Sequence, residues 1–112
     1  MSLQNTSLLA LPVKAAGSIT KFRFIGTDGN LAAAGANTQG VSRNDASTGD
    51  VFPADCIGTV VLETNGAFNA GDALQSDTGG KAIVKGAGVT AARALQASTG
   101  AGQFVEAFYI AN

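Results

Sequence analysis

The sequence predicts an all-β fold, a small compact β-barrel or sandwich with an extended N-terminal arm. Three observations lead there. Apolar and β-branched residues gather in short runs, glycine-centred turn signals separate those runs at intervals of roughly 8–15 residues, and no stretch sustains a helical period. The chain has 112 residues and 15 glycines, enough for one domain with a modest core.

Residues 1–13, MSLQNTSLLALPV, mix amides and hydroxyls with four leucines and lack turn punctuation. They read as an arm, leaving residues 14–112 as the β domain. Pro12 disfavours helix at Leu11 and pushes the segment toward extended backbone. Two readings of Leu8, Leu9 and Leu11 stand side by side: a first strand folded into the domain's own core, or an arm lying on a neighbouring subunit.

From residue 18 the pattern has period two. In SITKFRFI, Thr20, Phe22 and Phe24 share one face and Lys21 and Arg23 the other, which predicts a half-buried strand. Asp28-Gly29 then signals a turn, because glycine takes positive φ without steric cost. The Ala-rich LAAAGAN is too short for a helix and is interrupted by Gly35, so it is assigned to a loop.

TQGVSRN reads as a short strand, DASTGDVFPAD as a polar connection, and CIGTVVLET as a longer strand ended by a turn at Asn65-Gly66. In FNAGDALQSDTGGKAIV, the NAGD and DTGG turns frame two short runs, ALQS and KAIVK, and the stretch reads as a hairpin. The last third gives TAARALQAS, the turn TGAGQ and a terminal strand QFVEAFYIA. Propensity alone would allow a helix over residues 90–97, but the flanking glycines and neighbouring β elements favour a strand.

Two strands are apolar on both faces. Val60 and Leu62 oppose Ile57 and Val61, while Phe104, Phe108 and Ile110 oppose Val105 and Tyr109. A small barrel buries one face of each strand. The second is covered either by loops and the arm or by another subunit.

Composition narrows the function. Charged residues are 13% of the chain, against a usual share of about 25%. The net charge of −1 is scattered without runs, which leaves no electrostatic footprint for nucleic acid. No apolar stretch approaches the roughly 18 residues of a membrane helix, and no basic residue precedes the Leu8–Leu11 cluster as a secretory signal requires, so a soluble chain is expected. Cys56 is the single cysteine and there is no histidine, which leaves neither a disulfide nor a Cys/His metal site.

General acid–base chemistry also lacks its usual group. Asp28, Asp45, Asp50, Asp55, Asp72 and Asp77 fall in turn-like segments, where aspartate caps backbone N–H groups. Glu63 and Glu106 interrupt strands without a distinctive motif. GAGVTA, residues 86–91, matches G-x-G-x-x-A, but the strand, helix and second parallel strand that a dinucleotide site needs do not fit around it. Asn5 opens an N-x-S/T triplet, a chance match without a secretory signal. No catalytic, metal or cofactor-binding residues are assigned.

The succession AAGSITKFRFIGTDGNLAAAGANTQGVSRNDASTGD, GTVVLE, FNAGDALQSDTGGKAIV and ARALQASTGAGQFVEAFYI, over roughly residues 13–112, resembles the small capsid decoration, or cement, proteins of tailed bacteriophages. These include a family long known only as a domain of unknown function beside phage capsid genes. The resemblance rests on Phe22, Arg23 and Phe24, on QGVS before ASTGD, on NAGDALQSD with GGKA, and on ARALQASTGAGQ before the final strand.

The resemblance implies a non-enzymatic β protein, made in the bacterial host cytoplasm, that sits on the outer surface of an icosahedral head. There it would bridge neighbouring major capsid subunits and reinforce the shell against DNA pressure. Such proteins often act as trimers, although dimeric and monomeric binding modes occur. The candidate contacts with capsid or sister subunits are Leu3, Leu8, Leu9 and Leu11 on the arm and Val61, Val105 and Tyr109 on the two-faced strands. The rival readings are another virion part, such as a tail or head-completion protein, and a small enzyme or ligand-binding barrel; the catalytic aspartate signature of a dUTPase-like barrel is not found.

Overall fold

The computed structural model describes residues 7–112. They contain eight strands: β1 (Ser7–Lys14), β2 (Phe24–Gly26), β3 (Thr38–Ser42), β4 (Val51–Phe68), β5 (Ala73–Ser76), β6 (Ala82–Val84), β7 (Ala92–Ala94) and β8 (Ser98–Tyr109). No helix forms among them. The all-β expectation holds, and the architecture is a barrel with an attached sheet.

The long β4 belongs to both parts. Its second half pairs with β8 on one side and with β6 on the other, and β6, β5 and β7 lead back to β8, closing a five-stranded barrel. The β4–β6 contact is parallel, at Thr64 and Ala82. The other barrel pairings are antiparallel. The first half of β4 lies between β1 and β3, and β2 continues that small sheet.

Strand alternation decides what fills the barrel. Leu62 faces Val105 and Val60 faces Ala107 across the β4–β8 ladder, and all four are buried. Phe24, Leu74 and Tyr109 share this core with the small Ala82, Ala91, Ala92 and Ala94, a mixture of large and small side chains suited to a narrow interior. Burying a side chain such as Leu62 contributes about 1.5–3 kcal/mol over leaving it in water. A second cluster, Val13, Ala15, Ile19, Ile25, Phe52 and Ala54, packs beneath the attached sheet.

The hairpin expected in FNAGDALQSDTGGKAIV is present, with Leu74 opposite Val84 and Ser76 opposite Ala82. The Asp28-Gly29 turn is also found, with Gly29 at φ 86°. Residues 90–98 form no helix, and β7 takes their centre.

Elsewhere the boundaries move. SITKFRFI is not one strand: only Phe24 and Ile25 of it enter β2. Phe22 adopts φ 64°, which breaks the alternation expected of Thr20, Phe22 and Phe24. The Phe22 N–H donates to the Ser42 carbonyl and its own carbonyl accepts from Glu63, so this segment crosses to β4. Asn65-Gly66 makes no turn. Both residues lie inside β4, opposite Ala101 and Gly100, and the chain reverses beyond Phe68, where Gly71 has φ 92°. TGAGQ likewise continues β8, with a register shift opposite the Glu63/Asn65 step. Strand structure also begins at Val51, inside the stretch read as a polar connection.

Candidate interaction surface

β1 lies antiparallel on β4, from Ser7 opposite Gly58 to Lys14 opposite Val51, and among the described residues it pairs with no other strand. Val13 points into the second cluster. Leu8, Leu9 and Leu11 stay exposed, Leu8 at 75%, and Val51 joins them. Pro12 faces Pro53 across the ladder, and with Ala10, Leu11, Val51 and Phe52 the two prolines line a shallow apolar groove of about 320 Å³.

A second apolar area covers the outside of the barrel. Because Val105, Ala107 and Tyr109 point inward, Phe104 and Phe108 point outward and are 46% and 44% exposed. Leu95, just past β7, is exposed beside them. The Phe22 ring meets Phe104 edge-on with centroids 5.7 Å apart, and the Lys21 ammonium lies 5.6 Å from the Phe22 ring centre. The two areas converge: exposed Ile57 faces Leu9 on β1, and Thr59, two residues along, faces Phe108 on β8.

Charge sits at one border of this surface. Glu63 accepts from Arg23 Nε at 3.1 Å and lies 3.6 Å from Lys81 Nζ. It is held by cations and does not pair with Glu106, which faces Val61. Most turn aspartates cap backbone N–H groups as their positions suggested: Asp45 accepts from Lys21, Asp50 from Ser47, Asp72 from Asn69, and Asp77 from Gly79 and Lys81. The side-chain and backbone hydrogen bonds of Asn30 hold the Asp28 carboxyl below the usual range. Asp55 departs from the turn reading. It is buried in β4 and accepts from Arg43 Nε and Nη2, which raises the Arg43 pKa above its ordinary value.

Of the expected contact residues, Leu8, Leu9 and Leu11 lie at the surface, and Leu3 lies outside the described residues. Val105 and Tyr109 are buried in the barrel at 3% and 5% exposure, and Val61 is also buried despite facing away from Val60 and Leu62. The outward positions belong to Phe104, Phe108, Ile57 and Leu95 instead. Alternation in FVEAFYI separates the two sets, but only the Leu62–Val105 register tells which set faces in.

Among the described residues no group of three or more His, Cys, Asp or Glu side chains could hold a metal ion. The Cys56 thiol is half-buried, 3.4 Å from the Leu9 carbonyl. Gly86 and Gly88 of GAGVTA donate their N–H groups to the Gln75 side-chain carbonyl at 2.8 and 3.0 Å, a loop-fastening role.

A model of the phage cement protein family matches residues 3–108. The chain belongs to the phage cement protein family. It is accordingly a virion structural protein. The fold of this cement-family chain is similar to that in the crystal structure of the head fiber gp8.5 N base in bacteriophage phi29, with a TM-score of 0.74, 17% identity, and coverage of 91% of this chain and 93% of that one. None of the curated proteins matches.

Proposed function

We propose that the protein decorates the outer surface of an icosahedral phage head, cements neighbouring major capsid subunits and stabilises the shell against internal DNA pressure, without catalysing a reaction. The observation that carries this reading is the apolar stripe running from Leu8 and Leu9 through Ile57 to Phe108 and Phe104. Monomeric proteins rarely leave so extended an apolar surface uncovered. Family membership and the likeness to a head fiber base support placing that stripe against the head and against other copies of the chain. Repetition over a lattice suits such a surface, since linked weak contacts bind strongly through effective concentration.

The test is cosedimentation of the purified protein with undecorated expanded capsids, followed by electron microscopy. Saturable binding at symmetry-related positions bridging capsid subunits is expected. Absence of binding, with the protein found at a vertex or in the tail of intact virions, would overturn the reading in favour of another structural role.

A further inference from the structure

We propose that the outward face of β7 and β8 is the surface through which two copies of the chain pair, with Arg93 of one copy meeting Glu106 of the other. This rests on the reading that copies associate, and it assigns the face. The β7–β8 ladder sets Arg93 opposite Phe108, and the Leu95 N–H donates to the Glu106 carbonyl at 3.0 Å, which sets Leu95 beside Glu106. Four outward side chains therefore form a square. Arg93 and Glu106 occupy one diagonal, Leu95 and Phe108 the other.

Arg23–Glu63, Lys81–Glu63 and Arg43–Asp55 form ion pairs, and among the described residues neither Arg93 nor Glu106 is engaged in one. A partner of one dominant charge would satisfy one of the two and repel the other. A second copy satisfies both. A half-turn about the Leu95–Phe108 diagonal brings a copy face to face, lays Leu95 on Leu95 and Phe108 on Phe108, and sets each Arg93 against the opposite Glu106. That self-complementarity is the requirement for an isologous dimer. Phe104, further along the same face of β8 and backed by Phe22, enlarges the apolar contact. Aromatic and arginine side chains of this kind typically anchor protein interfaces. The pairing gives assemblies with an even number of chains, unlike the trimer that the family resemblance favours.

The experiment is sedimentation velocity on the full chain, comparing wild type, R93E, E106R and an equimolar mixture of the two variants, with circular dichroism as the check on folding. Wild type is expected to pair. Each variant alone confronts like charges, which should weaken association by about a hundredfold or more. The mixture should regain wild-type pairing, because each variant offers the charge that the other lacks. The proposal is overturned by a monomeric wild type, by an assembly with an odd number of chains, by folded single variants that associate like wild type, or by a mixture that stays monomeric. Capsid cosedimentation is read separately: R93E that binds capsids unpaired would leave the decoration reading standing, and wild type that pairs without binding capsids would leave the face standing.

Discussion

The Cα of Gly35 occupies the space that a side chain on Gly88 would need: a β-carbon on Gly88 would lie 2.3 Å from it and 2.8 Å from the Oε1 of Gln75. One obstacle is backbone, and the other is a nearly buried side chain already fastened to Gly86 and Gly88. Gly88→Ala should therefore destabilise the fold by about 1–3 kcal/mol. At Gly86 a β-carbon would come no nearer than 3.8 Å to Gln75 Oε1, and Gly86→Ala should stay within about 0.5 kcal/mol of wild type. Urea denaturation of the two variants checks the contrast; equal losses would contradict the packing argument.

Tyr109 offers a pH-dependent readout. Its hydroxyl lies 2.7 Å from Thr38 Oγ1, and burial in the barrel pushes its pKa above the ordinary value, partly opposed by the Thr38 hydrogen bond. The unfolded phenol ionises near about pH 10, before the folded one. Tyr109 thus leaves stability unaffected below that pH and lowers it as pH rises from there through the folded value. The chain has one tyrosine and no tryptophan, so ultraviolet titration of tyrosinate reads this group alone. A midpoint at or below that of free tyrosine would contradict the buried placement.

The Arg43–Asp55 pair joins the end of β3 to β4. Asp55 is buried while Arg43 is partly exposed, so solvent screens one side of the interaction. Arg43→Ala should cost about 2–3 kcal/mol, less than for a fully buried pair. Arg43→Lys should restore only part of this, since one ammonium cannot reproduce the two guanidinium hydrogen bonds. Thermal and urea melts of the two variants provide the measurement.

Position along the two-faced strands should separate folding from binding. Leu8→Asp places a charge on an exposed side chain and should leave stability within about 0.5 kcal/mol of wild type while lowering occupancy on expanded capsids. Val105→Asp puts an unpaired carboxylate inside the barrel and should abolish folding. Loss of capsid binding with an unchanged melt is the signature to seek for Leu8. Unchanged occupancy would remove Leu8 from the contact surface.

Much of the barrel was legible in the sequence because its signals were local. ALQS, KAIVK and QFVEAFYIA became β5, β6 and most of β8, and the turns at Gly29 and Gly71 needed only the freedom of glycine. The errors came from long-range pairing. Asn65-Gly66 has turn chemistry, but the facing Gly100 and Ala101 draw it into β4. Phe22 fits an alternating strand until its backbone bonds to Ser42 and Glu63 hold it at positive φ. The outward surface was hidden for the same reason. FVEAFYI reveals two faces, and the choice between Val105 and Phe104 depends on a β4 strand some forty residues earlier.

The span of β4 has a mechanical consequence. One continuous backbone carries β1 on its first half and the barrel on its second, with β1 antiparallel to it. The hydrogen bonds of such a ladder lie perpendicular to the strands. A tug on β1 along its axis loads the whole ladder in shear and passes tension through β4 into the barrel wall. A tug across the axis would peel the same bonds one at a time. Resistance to pulling should therefore depend strongly on direction, greatest where the load runs parallel to β1.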